Sequence, residues 1–310
     1  MIYTVTLNPG IDHTLVVEQL DLNSVLRAVR VYRNCGGKGF NVSRALKVLG
    51  MESQALGFIG GDSGKWEERQ LQSLGITTNF DIIGVETRTC VVIIDTSGTH
   101  HIKVNEPGPL ISGKEQAALL NRVKSLARAG DFWVFSGSFP PGLAENYYAE
   151  LINIVQMEGA KACFDSSRNE LSAGIKAAPF LIKPNRLEAE ELTGNKIDTV
   201  EDFKKAANYF LAGGIQMVAL SLGVDGLFLS TKTNSVWVIP PRMNALNPVG
   251  PGDALLAGVL YGLVNHFILR DIARWGVACG TTSVMKEGVN FGTLDEVQNF
   301  LSRIEVVYDS

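Results

Sequence analysis

The segment Asn247-Pro248-Val249-Gly250-Pro251-Gly252-Asp253-Ala254-Leu255-Leu256-Ala257-Gly258 places two glycines and an aspartate directly before an apolar run with helical spacing. This order predicts a glycine-rich turn that leads into a helix, whose first backbone N–H groups have no partner within the helix. Such a turn suits a bound phosphate, because Gly250 and Gly252 allow close approach to the positive end of the helix. Asp253 would then stand beside the anion as a general base. In isolation the same pattern is typical of an aspartate that caps a helix, so the rest of the sequence decides.

Helical and strand-like patterns alternate from about residue 112 onward. The expected helices cover residues 112–128, 144–157, 186–192 and 202–211, and the expected strands cover residues 131–136, 161–165, 180–183 and 217–222. This alternation predicts an α/β fold with a mostly parallel sheet and helices on both faces. Ligands of such sheets bind beyond the C-terminal ends of the strands, which is where the glycine-rich turns of this chain fall.

Two earlier segments, residues 14–33 and 89–104, interrupt this alternation with strand-like runs. Gly98 is expected to form a hairpin turn in the second segment. We expect the two segments to pair into one small β-sheet, a discontinuous part of a single domain that spans residues 1–310. Apolar residues expected on the surface of this sheet are Val29, Val31, Val91 and Ile93. Because a thin sheet has little core of its own, these residues need a covering surface.

The 310 residues carry a formal net charge of −4 and include 45% hydrophobic residues, as expected for a globular protein with a sizeable core. This charge provides no general attraction to nucleic acid or to anionic membranes, so we expect neither as a partner. The four cysteines include no C-x-x-C pair, which favours a reducing compartment with buried thiols. The histidine spacing argues against structural zinc. Without a signal peptide or an apolar run of about 18 residues, we expect a cytoplasmic protein.

A second glycine-rich turn, Cys35-Gly36-Gly37-Lys38-Gly39-Phe40-Asn41-Val42, also precedes a helical pattern. It lacks the G-x-x-x-x-G-K-[ST] pattern and is therefore not a P-loop. Its glycines would let a sugar approach the backbone, and Asn41 could bond to hydroxyl groups. The alternative is a tight strand-to-helix turn with Lys38 in solvent. Asp12 could accept two sugar hydroxyls, although such an aspartate alone is more typical of a turn.

Two further motifs follow predicted strands. Asn185-Arg186-Leu187-Glu188 opens a predicted helix, which Asn185 can cap, and Glu188 lies one turn later. Magnesium takes few direct protein ligands, so this one carboxylate could suffice for it. The stretch Ser221-Leu222-Gly223-Val224-Asp225-Gly226 could receive phosphates or a ribose, whereas in isolation it predicts only a β-turn.

Taken together, these motifs resemble the ribokinase, or pfkB, family of sugar kinases over essentially the whole chain. Residues 36–41 are similar to its N-terminal signature, residues 247–258 to its C-terminal signature and residues 185–188 to its N-x-x-E motif. The resemblance is closest to the phosphosugar branch, represented by 1-phosphofructokinase and tagatose-6-phosphate kinase. Further stretches that carry the resemblance are residues 8–12, 87–88, 105–109, 136–142 and 182–185.

The resemblance implies a ribokinase-like fold in which the small sheet is a lid and the contact of a homodimer. It implies ATP and Mg²⁺ as cofactors and transfer to a primary hydroxyl of a ketohexose phosphate, with fructose 1-phosphate to fructose 1,6-bisphosphate as the leading reaction. Its catalytic residues would be Asp253, Gly250 and Gly252. Its sugar-phosphate residues would be Asp12, Gly37, Lys38, Asn41, Arg88, Ser138 and, by a looser match, Arg27. Its ATP residues would be Asn185, Ser221, Gly223, Gly226 and Gly252, with magnesium at Glu188.

The chain departs from the family pattern at three places. Pro251 replaces the alanine of the usual G-A-G-D, which removes one N–H donor, although proline is well tolerated at the first position of a helix. Pro248 and Asn247 replace residues common near a monovalent-cation site, which puts such a site in doubt. Arg168 stands where a D-[ST]-S-G turn has glycine, which predicts an altered loop.

Four alternatives accompany the leading reaction. Tagatose 6-phosphate or fructose 6-phosphate could be the acceptor. The protein could be a kinase for a nucleoside or an unphosphorylated sugar. Lys38 and Arg88 argue against this, because a neutral substrate offers no phosphate for two cations to bind. A sugar- or nucleotide-binding protein with an impaired anion hole would not need a base at Asp253. A dinucleotide dehydrogenase fits poorly, because no acidic residue follows the Gly250-x-Gly252 turn at the spacing that binds a ribose.

Overall fold

The first strand of the chain, Ile2–Thr6, lies inside a large sheet, and all five of its residues are buried. The structure is a computed structural model that describes residues 1–97, 100–243, 250–286 and 290–309. In chain order its strands are β1 (Ile2–Thr6), β2 (Gly10–Val17), β3 (Ala28–Gly36), β4 (Gln54–Gly60), β5 (Thr77–Thr78), β6 (Asp81–Ile83), β7 (Arg88–Asp95), β8 (His101–Asn105), β9 (Phe132–Ser136), β10 (Lys161–Asp165), β11 (Leu181–Ile182), β12 (Met217–Ser221), β13 (Leu227–Thr231), β14 (Ser235–Ile239) and β15 (Glu305–Asp309). The helices are α1 (Lys38–Val48), α2 (Gly61–Ser73), α3 (Gly113–Leu126), α4 (Tyr147–Met157), α5 (Arg168–Gly174), α6 (Arg186–Thr193), α7 (Val200–Ala212), α8 (Pro251–Val264), α9 (Leu269–Val284) and α10 (Leu294–Leu301).

The large sheet has the order β15-β14-β13-β12-β11-β10-β9-β1-β4-β5, and β6 also pairs with β4. Every pairing from β12 to β5 is parallel, whereas β13, β14 and β15 form an antiparallel edge. The prediction of a mostly parallel sheet is therefore confirmed. The antiparallel edge is possible because short turns join these last strands, whereas parallel strands need a crossover helix.

Both faces of the large sheet are covered by helices. Buried side chains of α3, α4, α6 and α7 pack on one face, where Tyr148 and Phe203 are among the largest. Buried side chains of α1, α8, α9 and α10 pack on the other face, where α8 contributes Leu256 and α9 contributes Ala278. The four cysteines are buried as free thiols, as the sequence predicts. Within the described ranges, none of the helices combines the length and the apolar content that crossing a bilayer requires.

Reciprocal capping boxes explain where several helices begin. In α3 the side chains of Ser112 and Glu115 satisfy each other's backbone N–H groups, and Thr199 with Asp202 does the same at α7. The helix expected from residue 144 begins instead at Tyr147, because Ala144 accepts a hydrogen bond from the Tyr147 N–H in a turn that precedes the helix. These starts fix the loops that precede the helices.

A separate small sheet has the order β3-β2-β7-β8. The strands β2 and β7 at its centre are parallel, and β3 and β8 flank them as antiparallel edges. Val29 and Val31 on edge strand β3 are 50% and 54% exposed, as expected. The expectation of equal exposure for Val91 and Ile93 is wrong, since both are partly buried because β7 has a neighbour on each side. The expected hairpin turn at Gly98 lies outside the described residues.

Candidate active site

Four neighbouring parallel strands end at one edge of the large sheet. Thr6 and Asp165 both lie in register with Ser136, and β11 ends beside them. Because the carboxyl ends of parallel strands meet at one edge, the side chains that follow these strands converge there. Lys183 directly follows β11 at this edge.

The start of α8 faces the same edge. Gly250 caps the helix in the left-handed region with φ 91°, and Pro251 is the first residue of the helix, a position that proline favours. The backbone N–H groups of Asp253 and Ala254 both donate to the Gly250 carbonyl, at 3.1 and 2.9 Å. In the described part of the chain, Gly252 is therefore the first-turn residue whose N–H remains available for an anion.

The carboxylate of Asp253 is buried and held in place by Asn41. The Asn41 Nδ2 group donates a hydrogen bond of 2.8 Å to Asp253 Oδ2. Burial, reinforced by the negative charge of Asp165, raises the pKa of Asp253 to about 6, while Lys38, the Asn41 hydrogen bond and Lys183 oppose this shift. A carboxylate with this pKa is largely ionised at neutral pH yet basic enough to accept a proton, as general-base catalysis requires.

Two lysines meet at Asp165, which is buried at the end of β10. Lys38 Nζ lies 3.1 Å from Asp165 Oδ1, and Lys183 Nζ lies 3.2 Å from Asp165 Oδ2. Burial would raise the pKa of Asp165, but the charges of Lys183 and Lys38 hold it below its usual value. The pKa of Lys38 is raised despite burial, because Asp165 and Asp253 stabilise its charge. A Cβ atom at Gly252 would lie 3.3 Å from Lys183 Nζ, so this ammonium group borders the glycine-rich turn.

Glu188 lies on the first turn of α6, within electrostatic reach of the same lysines. Its Oε2 accepts from the Asn185 N–H at 2.8 Å, and Asn185 Oδ1 accepts from the Glu188 N–H at 2.9 Å. The pKa of Glu188 is raised by burial and by the charge of Asp165. A bound cation would stabilise the ionised Glu188 carboxylate against both burial and the charge of Asp165. Among the described residues no cluster of three or more metal-ligating side chains occurs. Glu188 nevertheless fits Mg²⁺, which uses one or two carboxylates and keeps water ligands.

The turn after β12 lies next to the start of α6. Asn185 and Ser221 form an isolated parallel bridge, and the Ser221 N–H donates to the Pro184 carbonyl at 3.0 Å. Gly223 and Gly226 have φ of 63° and 83°. A Cβ atom at Gly226 would clash with the Val238 carbonyl oxygen, so packing against β14 alone accounts for that glycine. Gly223 has open space around its Cα, which leaves room for a ligand.

A second group of candidate residues lies where the small sheet meets β1. Asp12 in β2 lies in register with Cys90 of β7. Burial raises the pKa of Asp12, while the charges of Lys103, Arg88 and Arg44 oppose the shift. Arg88 donates from Nη2 to the Asn8 carbonyl at 2.8 Å and from Nη1 to the Glu106 carbonyl at 2.9 Å. These bonds fix the guanidinium and leave some of its five donors for a ligand.

The remaining candidates for sugar binding differ in burial. Gly37 caps α1 with φ 136°, and a Cβ there would lie 2.8 Å from Thr6 Cγ2. Asn41 Oδ1 is buried and, among the described residues, has no hydrogen-bond partner, so a hydroxyl could satisfy it. Ser138 is exposed in the loop after β9, and Arg27 is exposed just before β3.

The structure thus divides the candidates into two ends. At the transfer end, which is the edge of the sheet around Asp253, the charge of Lys38 acts on Asp253. At the sugar-phosphate end Arg88 acts on Asp12. Of these two cations, Lys38 forms an ion pair with Asp165, and Arg88 is hydrogen-bonded to the Asn8 and Glu106 carbonyls.

Sequence reasoning assigned no role to Asp165, Lys183 or Lys103. Lys183 and Asp165 each end or follow a buried strand at the ligand-binding edge, which is a signal that could have identified them. Lys103 offers no such signal, because its approach to Asp12 depends on how β8 pairs with β7. The departures at Asn247 and Pro248, and the cation site that they put in doubt, lie outside the described residues.

Comparison with known proteins identifies the family to which the chain is similar. Residues 5–296 match the model of the pfkB family carbohydrate kinases. The chain is 35% identical to a 1-phosphofructokinase of Borreliella burgdorferi, with 100% of each chain covered. It is 31% identical to a tagatose-6-phosphate kinase of Staphylococcus epidermidis, with 99% of each chain covered.

Among solved structures, the chain is similar to phosphofructokinase-2 from Escherichia coli, with 27% identity. The structure of that protein in complex with fructose-6-phosphate has a TM-score of 0.90 and covers 97% of this chain and 98% of its own. Its tetrameric inhibited form gives the same values. The likeness extends over both sheets, since it includes nearly the whole chain.

Proposed function

The chain belongs to the pfkB family of carbohydrate kinases and is a sugar-phosphate kinase, and we propose that its acceptor is fructose 1-phosphate, which it converts to fructose 1,6-bisphosphate. Kinases of this family use ATP as the phosphoryl donor. The reaction would consume ATP and the 6-hydroxyl group of the sugar, and would release ADP and one proton.

The observation that carries the mechanism is the buried Asp253 carboxylate, oriented by Asn41 at the start of α8. In the proposed reaction, Asp253 takes the proton of the acceptor hydroxyl while that oxygen bonds to the terminal phosphorus of ATP. The bond between this phosphorus and the bridging oxygen breaks, and ADP leaves with that electron pair. Positioning and charge stabilisation supply most of the catalysis in such transfers.

The positive groups next to Asp253 would stabilise the phosphoryl group in transit. The Gly252 N–H and the ammonium group of Lys183 border the same turn. Lys38 lies beside them, and Asp165 holds both lysines in place. The proline at position 251 removes one backbone donor, and Lys183 compensates with a full charge.

The nucleotide would lie along the first turn of α6 and the turn after β12. Asn185, Ser221 and Gly223 border this region, and Glu188 would hold Mg²⁺, which supplies charge neutralisation for the phosphates when it is bound. The open space at Gly223 supports close approach of a phosphate or ribose. Gly226 contributes by shaping the turn.

The sugar phosphate would bind between β1 and the small sheet. Asp12 and the free Oδ1 of Asn41 would accept hydroxyl groups, and Gly37 would allow close approach. Arg88, Ser138 and Arg27 would contact the existing phosphate. We add Lys103 to this set, because its charge acts on Asp12.

The choice of acceptor rests on the relatives. The 1-phosphofructokinase of Borreliella burgdorferi, at 35% identity, supports fructose 1-phosphate. Tagatose 6-phosphate is the second candidate, favoured by a relative at 31% identity. Fructose 6-phosphate is bound by the Escherichia coli neighbour and is the third candidate.

The small sheet would act as a lid over the sugar and as the contact of a homodimer. Exposed apolar residues on the edge strands support a covering partner, and these are Val29, Val31, Tyr32 and Val104. A lid would exclude water from the site and so protect ATP from hydrolysis. The tetrameric form of the Escherichia coli neighbour supports self-association in general. A two-fold axis would pair the same surface of two copies.

The deciding experiment is a kinetic panel. ADP release is followed with ATP and Mg²⁺ while fructose 1-phosphate, fructose 6-phosphate, tagatose 6-phosphate and free fructose are compared as acceptors. We expect the highest kcat/KM with fructose 1-phosphate. Preference for either 6-phosphate would reassign the acceptor, and equal activity on free fructose would refute recognition of the existing phosphate.

A further inference from the structure

Arg168, at the start of α5, has a backbone φ of 54°. This left-handed conformation is unfavourable for a residue with a Cβ atom, whereas glycine adopts it freely. The chain therefore carries a long cationic side chain at a position where its backbone is strained. Strained residues of this kind cluster at ligand-binding and catalytic sites.

The side chain of Arg168 lines a cavity of about 370 Å³, with Asn169, Ser172, Glu188 and Glu191 also in its wall. Arg168 is exposed, and among the described residues its guanidinium forms no hydrogen bond or ion pair. A cation without a partner in the described ranges, in the same cavity as Glu188, is available to a ligand.

The loop that carries Arg168 is part of the transfer end. Asp165, three positions earlier, binds both Lys38 and Lys183. Ser166 Oγ donates to the Gly137 carbonyl at 2.9 Å, which ties the loop to the end of β9. These contacts hold the loop directly before α5, which begins at Arg168, and they place that residue in the cavity wall together with Glu188.

We propose that Arg168 binds the polyphosphate chain of the nucleotide from the side of this cavity, as a further substrate-binding residue. The inference rests on the proposed placement of ATP at α6. A guanidinium presents paired N–H donors that match two phosphate oxygens. Glu188 and Glu191 would repel a bare polyphosphate, so the cavity would favour the magnesium complex: the carboxylates would hold the metal, and Arg168 would bind the phosphate oxygens.

The test is calorimetric titration of MgADP without sugar, on R168G, R168N and R168K. Glycine relieves the backbone strain and asparagine tolerates it, so both remove the charge without a new steric demand. We expect R168G and R168N to raise the Kd for MgADP about tenfold, while R168K has a smaller effect because lysine keeps the charge but not the paired donors. Their thermal unfolding midpoints should equal or exceed that of wild type. The exposed Lys176, on the segment after α5 and outside the cavity wall, provides the matched control K176A.

MgADP affinity within twofold of wild type in R168G and R168N would overturn the proposal. So would a loss of affinity for fructose 1-phosphate with nucleotide binding unchanged, or weaker binding accompanied by lowered unfolding midpoints in both variants. This titration needs no acceptor, so it gives a result even where the kinetic panel reassigns the sugar.

Discussion

The side chain of Asn41, in the first helix, donates a hydrogen bond of 2.8 Å to the carboxylate of Asp253, 212 residues further along the chain. This contact joins the two glycine-rich turns, one at the start of α1 and the other at the start of α8. It leaves Asn41 Oδ1 free, within the described residues, for a sugar hydroxyl. The same asparagine can thus orient the base and the group from which the base takes a proton.

Asp253→Asn should lower kcat by about 10²–10⁴-fold, because the amide cannot accept the proton of the acceptor hydroxyl. The fold should be preserved, since an amide oxygen can still accept from Asn41. Steady-state kinetics with fructose 1-phosphate measures this effect. Asp62→Asn, which changes an exposed first-turn aspartate of α2, is the control and should match wild type. Turnover of Asp253→Asn within a few-fold of wild type would contradict the base assignment.

The acid limb of kcat/KM against pH should have an apparent pKa of about 6, the pKa of Asp253. Lys183→Met should move this limb to higher pH, because the charge of Lys183 lowers the pKa of Asp253. Lys204→Met, a change on the far helix α7, should leave the limb in place. An acid limb that is the same in Lys183→Met and in wild type would contradict the effect of Lys183 on the pKa of Asp253.

The raised pKa of Asp253 should also make the free energy of unfolding depend on pH. Folding raises the pKa of Asp253 from 3.8 to about 6, so its stabilising contribution is complete below pH 3.8 and is lost as the pH rises through 6. Asp253→Asn should therefore increase the free energy of unfolding above pH 6, by at most about 3 kcal/mol, and change it little below pH 4. Urea unfolding at pH 4 and pH 8 measures both values. A variant that is destabilised at pH 8 would reverse the sign of the argument.

Pro251→Ala restores one N–H to the anion turn, so kcat should rise. A single donor at such a site can contribute roughly 2.7–4 kcal/mol, but we expect much less because the Gly252 N–H and Lys183 remain. The same change should reduce stability by about 0.4–1 kcal/mol, since alanine gives the unfolded chain more freedom. Kinetics and urea unfolding on one preparation measure both. A clear fall in kcat would mean that the proline pre-organises the turn.

Arg88→Ala should raise the KM for the sugar phosphate about tenfold or more and leave the KM for ATP nearly unchanged, because charge-assisted contacts contribute about 1.5–3 kcal/mol. Lys38→Ala should instead reduce kcat as well, since Lys38 is paired with Asp165 and its charge interacts with that of Asp253. The exposed residue Lys65 provides the control Lys65→Ala. If the two variants have identical kinetic effects, the division into two ends is wrong.

If the proposed homodimer forms, the protein should sediment at twice the chain mass of 33.6 kDa at micromolar concentration. Val31→Asp should shift it to the monomer, because it places a charge on the exposed edge strand β3. Met157→Asp places the same charge on an apolar residue that is 85% exposed at the end of α4, and it should leave the sedimentation unchanged. A single 33.6 kDa species for wild type, with and without sugar phosphate, would exclude the dimer but would not contradict the role of the small sheet as a lid.

Local patterns were sufficient for much of the fold. The helix expected from residue 112 and the alternation of apolar periods depend on residues within a few positions of each other, so the sequence predicts them directly. The capping box of Thr199 and Asp202, which begins α7 two residues before the expected start, is seen only in the structure. The exposure of Val91 and Ile93 was mispredicted, because it depends on strands that pair with β7 from elsewhere in the chain.

The residues of the site also divide into those that local sequence predicts and those that depend on distant parts of the chain. Gly250, Pro251 and Asp253 form one continuous turn, and their conformational preferences alone predicted a helix start with an acidic side chain. The pKa of Asp253 was not predictable in this way, because it depends on burial, on Asp165 and on two lysines from distant segments. The sequence by itself determined which groups the chain carries and where its turns fall. Only the tertiary structure decided which charges meet, because electrostatic interactions depend on distance and burial rather than on separation along the chain.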